Sequence, residues 1–172
     1  MGAQKMAVRP TRRQVAKGLA WVTPVMVLGA PAARAATSPG PCQPVISVSG
    51  DGACKCPGSS SPSDPQAYYL SFCATSDPSC PTPAGSTVTI VEVDGNQGPL
   101  TNAPLKPFCS TLPTTVTVNG KCSEVIRFTG ANSGNFLTVK YKIGDGATIY
   151  ANTKVPAPNQ TCTFCGTAMD SC

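Results

Sequence analysis

Apolar and polar residues alternate cleanly in one stretch of the chain, where Leu137, Val139, Tyr141 and Ile143 are separated by Thr138, Lys140 and Lys142. Successive side chains of a strand point to opposite faces, so this period of two predicts a half-buried β-strand over Phe136–Ile143 with one wet face. Five further runs rich in Thr, Val, Ile, Tyr and Phe carry a strand signature: Ala67–Cys73, Thr87–Val93, Thr114–Val118, Cys122–Thr129 and Ala147–Val155. A shorter candidate, Val45–Ser49, precedes them. Asn119-Gly120 supplies the positive φ angles of a two-residue hairpin turn, and Asn132-Ser133-Gly134-Asn135 and Gly144-Asp145-Gly146 mark the next two turns. Residues 114–155 therefore read as a four-stranded antiparallel meander. About seven short strands with almost no helical periodicity predict an all-β, antiparallel β-sandwich of immunoglobulin-like architecture. The label describes architecture only, because the single tryptophan, Trp21, falls outside the strand region and no buried Trp can pack between core cysteines.

The apolar run from Leu19 to Leu28 has a different character. Lys5, Arg9, Arg12, Arg13 and Lys17 precede it, and Ala33-Arg34-Ala35 follows with small residues where a signal peptidase needs them. Those three parts in that order predict a signal peptide over residues 1–35, cut after Ala35. The run is too short to span a bilayer and Pro24 interrupts it, so no stable membrane insertion is expected after cleavage.

Thr11-Arg12-Arg13-Gln14-Val15-Ala16-Lys17 resembles the twin-arginine export motif, and Gly18, Ala20, Thr23 and Gly29 dilute the apolar run as that route tolerates. The alternative is an ordinary Sec signal with two adjacent arginines. With Lys17-Gly18, Ala20-Trp21 and Pro24-Val25, the leader is similar to those of small secreted proteins from high-GC Gram-positive bacteria. The resemblance covers residues 10–36 and implies an export machinery and a signal peptidase as partners. It implies nothing about the mature domain.

Composition matters once the leader is set aside. The formal net charge of +5 comes from 13 basic and 8 acidic residues, but six of the basic residues and none of the acidic ones lie in the leader. The mature chain is close to neutral, which removes the charge argument for nucleic acid as a partner. All ten cysteines, Cys42, Cys54, Cys56, Cys73, Cys80, Cys109, Cys122, Cys162, Cys165 and Cys172, follow the leader. An even set confined to an exported segment predicts up to five disulfides, with the pairing left open. The Pro, Gly and Ser of residues 36–65 read as a segment stapled to the domain by Cys42, Cys54 and Cys56, with residues 66–172 forming the sandwich.

The chain has no histidine, so Ser-His-Asp and Cys-His catalysis are excluded, and none of the six mature lysines has Ser three residues before it. Glu92, Asp94 and Glu124 could support a carboxylate-dependent hydrolase if two of them faced each other across a cleft. Asp51, Asp94 and Asp145 each precede Gly, which is foremost a turn signal. Cys162-Thr163-Phe164-Cys165 has the spacing of a thiol-disulfide exchange motif, and with Cys54-Lys55-Cys56 it could form a four-thiolate zinc site; an oxidising destination favours a structural staple instead. Tyr68 and Tyr69 should point to opposite faces, one into the core and the other an isolated surface aromatic. Leu112-Pro113-Thr114-Thr115 lacks the final Gly and hydrophobic tail of a sortase signal, and no cysteine directly follows the cleavage position for lipid attachment. Asn159-Gln160-Thr161 matches a glycosylation sequon but reads as a loop. No catalytic residue, metal ligand or cofactor is assigned. The expectation is a secreted or cell-envelope-associated, non-enzymatic domain that acts structurally or binds an envelope or extracellular macromolecule.

Overall fold

The computed structural model describes residues 42–58, 66–130 and 135–172. The expected signal peptide, with Arg12, Arg13 and the expected cleavage position after Ala35, lies outside the described residues, as does most of the turn expected at Asn132–Asn135.

The described residues contain strands and turns but no helix, and every paired ladder is antiparallel. The strands are β1 (Val45–Ser47), β2 (Cys54–Cys56), β3 (Ala67–Leu70), β4 (Cys73–Thr75), β5 (Thr87–Gly95), β6 (Gly98–Pro99), β7 (Thr101–Asn102), β8 (Thr114–Thr117), β9 (Ile126–Thr129), β10 (Phe136–Ile143) and β11 (Tyr150–Pro156). The five-stranded sheet runs β11-β10-β5, and the far edge of β5 is shared by β8 along Thr87–Ile90 and by β6 at Asp94 and Gly95. The four-stranded sheet runs β2-β3-β9-β7, and β1 with β4 forms a small third sheet.

Both larger sheets place apolar side chains in one cluster. Tyr68, Leu70, Ile126 and Phe128 come from β3 and β9, and Val88, Ile90, Leu137, Val139 and Tyr141 from β5 and β10. Ile46 and Val48 join this cluster, so residues 42–58 supply strands and core to the sandwich in addition to staples. β10 has the alternation expected of it, with Leu137, Val139 and Tyr141 buried and Thr138, Lys140 and Lys142 half-buried.

The register of β5 contains a correction of phase. Tyr141 pairs with Ile90 but Lys140 pairs with Glu92, so Val91 is an extra residue, a β-bulge. Strict alternation from Val88 and Ile90 would aim Glu92 at the core. The bulge instead buries Val93 and leaves Glu92 and Asp94 on the outer face.

The meander expected over residues 114–155 is not what forms. β8 pairs with β5, β9 pairs with β3 and β7, and only β10 and β11 make a hairpin. The Asn-Gly turn is present: Gly120 N donates to Thr117 O at 3.0 Å and Asn119 sits at φ 58°. It does not return the chain alongside β8, because stronger ties pull the next segment to the other sheet. Asn119 N donates to Ala74 O at 2.8 Å, its Oδ1 accepts from Ser76 N at 3.1 Å, and Cys122 is bonded to Cys73. Ser123 N then donates to Phe72 O at 2.8 Å, while Ser123 Oγ accepts from Phe72 N at 3.0 Å. These two bonds, one backbone to backbone and one through the Ser123 hydroxyl, replace regular ladder bonds, which is why the run expected at Ala67–Cys73 is broken at Ser71-Phe72 and β9 begins at Ile126 rather than Cys122.

Candidate functional site

Alternation along the four-stranded sheet builds a second, smaller apolar cluster on its outer face. β3 turns Tyr68 and Leu70 to the core and Ala67 and Tyr69 outward. Cys54 pairs with Tyr69 and Cys56 with Ala67 across the β2–β3 ladder, and Arg127 pairs with Tyr69 on the other side. Paired residues share a face, so Cys54, Cys56, Tyr69 and Arg127 converge there.

The outward member of the pair is therefore not the isolated surface aromatic expected of it: Tyr69 is 2% exposed. The C-terminal segment covers it. Lys55 N donates to Gln160 O at 3.0 Å and Cys162 N to Lys55 O at 3.1 Å, laying the chain along the β2 edge. Two disulfides then fasten it, Cys54–Cys162 and Cys56–Cys165. Beyond them a turn closes with Thr167 N donating to Phe164 O at 3.2 Å, with Gly166 at φ 79°, a left-handed value that glycine adopts without strain. Phe108 approaches from another loop, which Cys109–Cys172 holds, and Lys106 N donates to Asp170 O at 2.9 Å. Tyr69 then meets Phe108 edge-on at 4.8 Å between ring centroids and Phe164 at 4.9 Å.

Between this cover and the sheet lies a cavity of about 470 Å³, lined by Tyr69, Arg127, Leu105, Phe164 and Met169 together with the loop from Cys165 to Ala168. Arg127 Nη1 donates to Ala103 O at 2.8 Å and its Nε to Tyr69 Oη at 3.3 Å; Tyr69 Oη in turn lies 3.7 Å from Met169 Sδ. The guanidinium is thereby anchored through two of its three nitrogens.

The other sequence candidates are placed as follows. All ten cysteines are paired, the remaining bridges being Cys42–Cys80 and Cys73–Cys122, and no cysteine is free. Cys162 and Cys165 are each bonded to β2 and not to each other. The sulfurs of Cys56, Cys162 and Cys165 lie within 4.8 Å of one another, but all three are committed to disulfides, which donate no thiolate to a metal. Glu92 and Asp94 both reach Lys140 Nζ, at 3.0 and 2.9 Å. Those contacts, from Asp94 first and Glu92 second, hold the Lys140 ammonium above its ordinary pKa. Glu124 instead accepts a bond from Ser110 Oγ at 2.6 Å, so the three carboxylates are not one constellation.

Arg127, Phe108, Phe164 and Met169 were not singled out by sequence reasoning. The signal available was the alternation Ile126-Arg127-Phe128-Thr129, which puts Arg127 on the face opposite Ile126 and Phe128. The cover depends on bridges whose pairing no sequence pattern discloses.

Comparison of the chain with protein-family models, curated proteins and solved structures finds no match. What fold and site define together is a disulfide-stapled, all-β domain with a cavity under its C-terminal segment.

Proposed function

We propose that the chain is the precursor of a secreted or cell-envelope-associated, non-enzymatic domain that binds another molecule or serves a structural role, with residues 1–35 as its export signal. One observation carries the reading: the ten cysteines, all beyond the leader, close into five bridges spanning 38 to 109 residues of sequence. Such a set is stable in an oxidising compartment and is rare where thiols are kept reduced. An immunoglobulin-like arrangement of the sandwich is the finer fold assignment that fits the two sheets and their common core. The three carboxylates weighed for hydrolysis are divided between a lysine and a serine, which gives the enzymatic alternative little to work with.

The test is expression of the full chain in a high-GC Gram-positive host, followed by fractionation and a hydrolase panel on the exported protein. The expected result is a mature protein beginning at Ala36 outside the cytoplasm, without turnover. Retention of the uncut chain in the cytoplasm, or clear turnover abolished by substituting Glu92 or Asp94, would overturn the proposal.

A further inference from the structure

The cavity beneath the C-terminal segment has a chemistry more specific than its size. Its volume falls in the roughly 300–1,000 Å³ range of small-molecule sites. Its walls are mixed: Phe164, Met169, Leu105 and the edge of Tyr69 supply apolar surface, Arg127 and the loop from Cys165 to Ala168 supply polar surface in similar measure, and its lining contains no carboxylate. Arg127 is the one charged residue in that lining. The only ion pairs among the described residues are those of Lys140, so the Arg127 guanidinium has no acidic partner there. With Nε and Nη1 engaged, Nη2 has no hydrogen-bond partner among the described residues. Nη2 can donate a charge-assisted hydrogen bond to a carboxylate, and the two internal bonds hold the guanidinium in place before any ligand arrives. The aromatic walls are likewise held by neighbouring rings and by two disulfides, so little ordering is needed on binding.

We propose that the cavity bounded by Arg127, Tyr69, Phe164 and Met169 is a binding site for a carboxylate with an apolar body, its carboxylate on Arg127 and its body against the rings. A free aromatic acid and the C-terminal residue of a peptide share this chemistry. The site deepens the reading of the domain as a binding module, but it stands on geometry alone: a failure to bind leaves export untouched, and a failure of export leaves the cavity untouched.

The experiment is titration of the oxidised mature protein, followed by nuclear magnetic resonance, with phenylacetate, phenylacetamide, and a short peptide ending in Phe as the free acid or the amide. The expected result is saturable shifts at Tyr69, Gly166 and Thr167 with phenylacetate, the free-acid peptide or both, weakened about tenfold or more in the matching amide. Binding by phenylacetate alone assigns a free small acid, and binding by the peptide acid assigns a chain terminus. Arg127→Gln should abolish acid binding and Arg127→Lys should retain part of it. Because Arg127 also holds Ala103 and Tyr69, Ala168→Phe is the second variant: it fills the cavity from an exposed position and should abolish binding with the fold unchanged. Absence of saturable binding by either acid, equal binding of acid and amide, or binding unaffected by Ala168→Phe would overturn the proposal.

Discussion

Gly50 lies where the chain passes against the Cys73–Cys122 bridge, its N–H donating to Ser71 O at 3.1 Å. A Cβ placed there would fall 3.0 Å from both Cys122 Cβ and Cys73 Sγ, and neither can move without shifting the disulfide. Gly50→Ala is therefore expected to lower stability by about 1–3 kcal/mol through overpacking, seen as a lower denaturant midpoint at unchanged slope. Titration acts at other residues. Lys140, held by Asp94 and Glu92, has its pKa raised above 10.5, and burial raises that of Tyr141 above 10.0. In both, the folded state holds the proton more tightly than the unfolded chain. Their contributions are complete below the unfolded pKa values and are lost as pH climbs through the folded ones. Stability should thus fall on the alkaline side above about pH 10, with Lys140→Met and Tyr141→Phe each flattening part of that limb in midpoints measured against pH. At this scale the sequence was readable where alternation ran undisturbed, as at Leu137, Val139 and Tyr141. It was not readable at Tyr69: alternation split Tyr68 and Tyr69 between two faces without saying which faced out, and the cover of Tyr69 comes in part from Met169, 100 positions away.

Elements that the sequence proposed as neighbours were separated by ties of longer range. A two-residue turn normally returns a chain to the strand it left, and Asn119-Gly120 carries that signal. The bonds of Asn119 to Ala74 and Ser76, and of Cys122 to Cys73, redirect the chain into the other sheet. The Val91 bulge is similar: only the pairing partner reveals that Val93, and not Glu92, reaches the core. The cover of the cavity is also an element-scale feature, and its two bridges close nearly the same loop, with separations of 108 and 109 residues. In the chain-entropy picture the first bridge restricts that long loop, and the second restricts only the short ring left between them. Replacing either pair by serines should cost about 2 kcal/mol and replacing both about 7 kcal/mol. Strictly additive losses in denaturant titrations of the three variants would show that the two bridges act independently. The same double variant should release the turn at Gly166 and expose Tyr69 to solvent.

For the molecule as a whole, the proposed export agrees with the near-neutral charge of residues 36–172 and with their five bridges. Residues 1–35, the proposed export signal, carry the surplus basic charge, and the described residues form a small sandwich whose segments are tied by covalent bridges at several points. The resemblance of Arg12-Arg13 to a twin-arginine motif implies passage in a folded state, whereas the bridges should close only after crossing. Replacing both arginines by lysine should stop export if that route is obligatory; export that survives the change rules out strict twin-arginine dependence. The central claim is that the mature chain is a fully oxidised, exported domain, and non-reducing peptide mapping of the extracellular protein by mass spectrometry tests it most directly. The account predicts an N-terminus at Ala36 and the cross-links Cys42–Cys80, Cys54–Cys162, Cys56–Cys165, Cys73–Cys122 and Cys109–Cys172, with no cysteine open to alkylation. Free thiols at Cys54, Cys56, Cys162 and Cys165, or a Cys162–Cys165 cross-link, would contradict it.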